Sequence, residues 1–147
     1  LQKYLARIIF EMVEPKIRLK GLDKFPKYKG SEDNLQKAVA RYLDLIGSFW
    51  FHCPNGGSRN GIEAAKLKAM GVKPGIPDCL ILDNRRGYAG LAIELKVGYN
   101  KPSDQQIIQF DKLVERNWMV VISWSLEEVI AAIDWYYELN NMNYENQ

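Results

Sequence analysis

An apolar run that breaks at a compact turn and then resumes constrains this chain more than any other feature. Cys79-Leu80-Ile81-Leu82 is followed by the turn residues Asp83-Asn84-Arg85-Arg86-Gly87, and Tyr88 to Val97 reads as a returning strand. A hairpin is predicted, with Pro77-Asp78 at its entrance and Glu94-Leu95-Lys96 at its exit. Successive strand side chains alternate faces, so Glu94 and Lys96 share one face while Ile93, Leu95 and Val97 take the other. Folding the hairpin can bring Asp78 across from Glu94. Two hard oxygen ligands of the kind that suits Mg²⁺ would then stand together with an ammonium beside them. On a half-exposed strand such an ExK triplet usually means a surface ion pair. Here Leu91, Ala92, Ile93, Leu95 and Val97 make the strand too apolar for a wet edge, and charges in such a place coordinate something or pair at a cost.

With 147 residues, 47% of them hydrophobic, the chain suits one compact domain. The expected division is an N-terminal amphipathic helix and basic arm over 1–30 and a core domain over 31–147. No apolar run approaches a membrane span, and the opening residues do not follow the pattern of a signal peptide, so a soluble, cytoplasmic protein without a membrane partner is expected. Cys53 and Cys79 both fall in predicted strands, which favours reduced, buried thiols over a disulfide. His52 is the sole histidine and there is no CxxC, which argues against a zinc site. Net charge is only +2, but residues 1–30 carry eight Lys or Arg against three acids, and no basic residue follows Arg116. Such a gradient reads either as orientation on a polyanion or as a solvated lysine-rich linker.

Along the chain, Leu1, Tyr4, Leu5, Ile8, Ile9 and Met12 have the spacing of an amphipathic helix that Pro15 would stop. Lys16 to Gly30 reads as an extended connection. Ser31 caps a predicted helix with Leu35, Val39, Tyr42, Leu43 and Ile46 on its apolar stripe, ending at Gly47. Ser48 to Cys53 reads as a strand, Pro54 to Gly57 as a loop, and Ile62 to Met70 as a helix closed by Gly71. Ser103-Asp104-Gln105-Gln106 has the S-x-x-Q capping-box pattern and opens a helix burying Ile107, Phe110, Leu113 and Val114. Trp118 to Ser123 is a strand, and Ser125 to Glu128 a second capping box before a helix burying Leu126, Val129, Ile130 and Ile133. Trp118, Trp124 and Trp135 read as core. The order helix, strand, helix, strand, strand, helix, strand, helix predicts an α/β fold with a mixed central sheet and flanking helices.

This order, with Gly75-Ile76-Pro77-Asp78 and Ile93-Glu94-Leu95-Lys96, resembles the PD-(D/E)xK nuclease superfamily. That implies an αβββαβ core, here with an extra helix between the first two strands. Pro54-Asn55-Gly56-Gly57 with Arg59, Lys68 to Val72, Pro74 to Asp78, and Ser103 with Gln106 look more particularly like the VRR-NUC family, especially its small stand-alone members in phages and bacteria. The likeness spans about Ser31 to Ile133. It implies Asp78 and Glu94 as metal-binding carboxylates, the backbone carbonyl of Leu95 as a third ligand, and Lys96 beside the attacking water. Glu32 would approach the metal directly or through water, and Gln106 matches a family glutamine. The run Ser103-Asp104-Gln105 departs from the family's usual proline or glycine-rich stretch, which makes Gln105 a rival for that role. The implied activity is hydrolysis of DNA phosphodiesters with Mg²⁺ or Mn²⁺ by a dimeric endonuclease selective for Holliday junction or flap DNA. Alternatives are an end-trimming exonuclease and a non-catalytic DNA-binding module on the same fold.

The weaker candidates each have a plain reading beside the functional one. Asn55, Gly56 and Gly57 present backbone amides to a phosphate or form an ordinary turn; with no GK[ST] ending, a nucleotide cofactor is not expected. Arg59, Lys66 and Lys68 contact DNA backbone or make a solvated helix face. Gln106 also serves its capping box, Glu32 also suits the positive end of its helix, and His52 reads as a strand residue with a satisfied hydrogen bond.

Overall fold

The computed structural model describes residues 25–54 and 60–139. The amphipathic helix expected before Pro15 lies outside them, as do Asn55, Gly56 and Arg59. The described elements are α1 (Glu32–Leu45), β1 (Trp50–His52), α2 (Gly61–Ala69), β2 (Cys79–Ile81), β3 (Gly90–Leu95), α3 (Asp104–Glu115), β4 (Trp118–Ser123) and α4 (Leu126–Tyr137). This is the expected order, in a mixed sheet flanked by helices.

The strands lie in chain order across one sheet. β1 and β2 pair antiparallel, β2 and β3 form the predicted hairpin, and β3 pairs parallel with β4 by a crossover through α3. Leu35, Val39 and Leu43 of α1, with Val129, Ile133 and Tyr136 of α4, close over one face of the sheet onto Cys79, Ile81, Leu91, Ile93, Leu95, Met119 and Val121. α3 packs against β4 from the opposite face, where Phe110 is buried. Flanked on both edges and covered on both faces, β3 is buried at all six positions. Its polar and apolar residues alternate in direction without alternating in exposure.

Caps define where the helices begin. Ser31 accepts from the Asn34 amide at 3.2 Å, and Ser103 forms the complete capping box with Gln106. The second box is not formed. Ser125 accepts from the Glu128 amide, but the Glu128 carboxylate accepts from the Ser123 hydroxyl instead of closing back on Ser125. A buried serine donor outcompetes the local closure.

Other expectations were too generous. β1 is three residues long, so Cys53 falls just past its end and is only partly buried, while Cys79 is buried. Tyr88 belongs to a bridge with Arg85 instead of to β3, and Lys96 lies one residue beyond β3 although its amide still donates to Ser123. In α3 only Phe110 is fully buried; Ile107 is exposed and Leu113 and Val114 are half-buried, because the helix packs mainly on β4, the strand at one end of the sheet. Leu126, Ile130, Trp118, Trp124 and Trp135 are likewise half-buried. Tyr28 packs against the core, and its amide donates to the Trp124 carbonyl at 2.7 Å. No helix among the described residues is long and apolar enough to cross a membrane.

Candidate active site

The register that pairs Cys79 with Ile93 sets Asp78, one residue earlier, opposite Glu94. A hydrogen bond fixes the arrangement: the Leu95 amide donates to Asp78 Oδ2 at 2.8 Å. The Asp78 carbonyl accepts from the Cys53 amide at 2.8 Å and from His52 Nδ1 at 2.7 Å, so the aspartate is held through its backbone at the end of β1 and through its side chain on β3.

Glu94 is 2% exposed and Lys96 8%. Lys96 Nζ and Gln106 Nε2 both donate to Glu94 Oε1, each at 2.5 Å. The other oxygen, Glu94 Oε2, is buried and has no partner among the described residues. Burial and then the charge of Asp78 push the Glu94 carboxyl from 4.5 up to about 7, against the opposing pull of Lys96 and Gln106. Burial also raises Asp78, opposed first by the Leu95 amide and then by Lys96. One ammonium does not neutralise this pair.

Glu32, Asp78, Glu94, Lys96, Gln105 and Gln106 line one cavity of about 560 Å³, with Lys68 and Lys73 on its wall. Burial and the charge of Asp78 raise the Glu32 carboxyl as well. No group of three or more His, Cys, Asp or Glu side chains able to hold a metal is gathered among the described residues. The carboxylates in register are therefore two, and Glu32 faces them as a separate wall of the cavity. Gln106 bonds Glu94 while keeping its cap, whereas Gln105 lines the cavity beside it. Of the basic residues expected near the substrate, Lys68 reaches the cavity and Lys66 stands exposed outside its lining.

Three contributions were not read from the sequence, although Gly75 itself stands in the motif before Asp78. Gly75 has φ +80°, and a Cβ there would lie 2.5 Å from the Gln105 carbonyl oxygen. The loop before Asp78 thus rests directly on the first turn of α3, an approach only glycine permits. Lys73 on the cavity wall carried no pattern. Gln36 donates to Cys79 Sγ at 3.2 Å, behind the carboxylates, and burial pushes that thiol up to about 12. The short X-Gly-X-Pro-Asp run was a signal for Gly75; no local pattern announces the other two.

No family model matches the sequence, and no curated protein does either. Solved structures do. One, named "VRR_NUC domain protein", aligns with a TM-score of 0.64 at 31% identity over 76% of this chain and 93% of its own. Another, named "VRR_NUC domain", aligns with a TM-score of 0.50 at 22% identity over 72% of this chain and 97% of its own, a likeness of fold. The chain belongs to the VRR-NUC family, and its fold is of the nuclease type.

Proposed function

We propose that this protein is a Mg²⁺-dependent deoxyribonuclease, an endonuclease that hydrolyses phosphodiester bonds. The observation that carries the reading is the Asp78–Glu94 pair, a half-buried and a buried carboxylate in register, with an under-neutralised charge and an oxygen, Glu94 Oε2, that has no partner among the described residues. Hard carboxylate oxygens with surplus negative charge suit a hard divalent cation. Asp78, Glu94 and the Leu95 carbonyl would hold it, with Glu32 contributing through water, and Mn²⁺ would substitute. When bound, the cation supplies the positive charge that a phosphodiester needs as negative charge develops on it.

The chain's own residues do the positioning. The Leu95 amide orients Asp78, and Gln106 with Lys96 orients Glu94. Lys96, tethered at 2.5 Å to Glu94, presents its remaining N–H donors towards the cavity and aligns the attacking water. Lys68 and Lys73 on the cavity wall attract the phosphate backbone. Branched DNA as substrate and a homodimer as the working form belong to the proposal through the likeness to stand-alone family members.

The test is incubation with end-labelled linear, flapped and four-way DNA in Mg²⁺, Mn²⁺ or EDTA. Cleavage that needs the metal, favours branched DNA and disappears in Asp78→Asn supports the proposal. Absence of cutting on all three substrates in both metals overturns it.

A further inference from the structure

Tyr99, three residues past Lys96, is 94% exposed, more than any other large apolar side chain among the described residues. A single exposed aromatic is ordinary on a protein surface. Its setting is not. Both ends of the loop that carries it, Lys96 and Ser103, line the cavity, so Tyr99 stands within a few residues of the proposed cleavage site although it is not itself part of the lining. The residue that follows it is held on two sides: the Asn100 amide donates to the Val97 carbonyl at 3.2 Å, and the Trp124 indole N–H donates to the Asn100 carbonyl at 2.8 Å. Trp124 is in turn tied to Tyr28 at 2.7 Å. Two residues from the chain that precedes α1 complete the surroundings. Lys27 Nζ lies 5.1 Å from the Tyr99 ring centroid, and Lys29 is exposed nearby in sequence, as is Lys101 within the loop itself.

An exposed ring on a tethered loop, with a cation over its face and further lysines close by in sequence, is a combination suited to single-stranded nucleic acid. Every base has a π face to stack, and lysines take the adjoining phosphates. Bases inside a duplex already have both faces covered, so only an unpaired base has a face to offer.

We propose that Tyr99, with Lys27 and Lys101, is a stacking platform for an unpaired nucleotide base next to the scissile phosphate, so that the preferred substrate carries single-stranded or splayed nucleotides at the cut. The inference rests on the phosphodiesterase reading above and deepens it. A fixed loop lowers the ordering cost of binding, and Lys27 polarises the ring that receives the base.

The experiment measures binding by fluorescence anisotropy with the full chain in EDTA, where no cleavage intervenes. A single-stranded oligonucleotide and a blunt duplex of the same sequence are compared for wild type, Tyr99→Ala and Tyr99→Phe. Stacking of one base predicts that Tyr99→Ala weakens single-strand binding by roughly tenfold or more while duplex binding stays put. Tyr99→Phe, which keeps the ring, should remain within about twofold of wild type. A 5-iododeoxyuridine placed beside the cut should photocrosslink to Tyr99. Unchanged single-strand affinity in Tyr99→Ala, an equal loss on duplex, or no DNA binding by wild type overturns the platform. The two readings fail separately: a protein that cuts with Mg²⁺ but ignores Tyr99→Ala loses only the platform, and one that binds through Tyr99 but never cuts loses only the chemistry.

Discussion

Replacing Glu94 by Gln in metal-free buffer should make the protein more stable at the same time as it ends cleavage. Glutamine has nearly the shape of a protonated glutamate and still accepts from Lys96 and Gln106. What it removes is the cost of ionising a carboxyl that burial and Asp78 have pushed from 4.5 to about 7. A shift of that size corresponds to roughly 3 kcal/mol, and the coupling to Asp78 and Lys96 makes 1–3 kcal/mol the working range. The sign follows from linkage. A folded-state pKa above the unfolded one gives stability that is full below pH 4.5 and lost as pH rises through about 7, so the variant's advantage is absent in acid and complete by pH 8. For a chain of this length the advantage should appear as a rise in Tm of roughly 3–9 °C at pH 8. Adding Mg²⁺ closes or reverses the gap. Wild type is stabilised by binding, about 2.7 kcal/mol at a hundredfold excess over Kd, and the variant loses most of that gain. Thermal melts at pH 4.5 and 8, with and without Mg²⁺, and a cleavage assay on the same samples decide the matter. A variant that melts lower than wild type at pH 8 without metal, or one that still cuts, refutes the account.

Lys96→Ala should lower turnover by orders of magnitude and leave Mg²⁺ affinity, read by calorimetry, nearly unchanged, since an ammonium repels a cation; tighter metal binding would agree and much weaker binding would not. Gly75→Ala forces a side chain into φ +80° and against the Gln105 carbonyl at 2.5 Å, so a loss of roughly 1–3 kcal/mol in urea melts is expected, together with reduced cleavage from a displaced Gln106. Glu128→Gln, remote from the cavity lining, should flatten part of the decline in stability between pH 4.5 and about 7, because burial raises that carboxyl over this window; the positive end of α4 offsets some of the cost, leaving roughly 1–2 kcal/mol, and superimposable pH profiles would count against it.

How much of this was legible in the sequence depended on how local the cause was. The hairpin was readable because the turn residues and the flanking apolar runs lie together; alternation then put Glu94 and Lys96 on one face, and folding the hairpin put Asp78 across from Glu94. Ser31 and Ser103 were readable as caps because their partners sit three residues on. Glu128 was misread for the same reason: the local pattern matched a capping box, but Ser123, brought near by the end of β4, took its carboxylate. Ile107 was misassigned because its helical spacing shows which face is apolar, not how much of a sheet will cover it. Lys73 and the contact of Gln36 with Cys79 depend on packing across distant segments, to which no short pattern points.

The placement of the site follows from the same packing. β3 and β4 run parallel, and α3 and α4 both begin beyond their carboxyl ends. In α/β sheets that edge gathers the positive ends of helices and is where ligands bind. Here the first turn of α3 enters the cavity directly with Gln105 and Gln106. Gly75 brings the loop before Asp78 against that turn, the hairpin brings Asp78 to Glu94, and Gln106 joins the turn to Glu94. Three segments therefore meet at one carboxylate, whose second oxygen is buried with no partner among the described residues. A fold selected for stability alone would gain by placing an amide or an aliphatic side chain at this point. Retaining two carboxylates there is costly, and the cost is intelligible if a cation and the phosphate it carries complete the site.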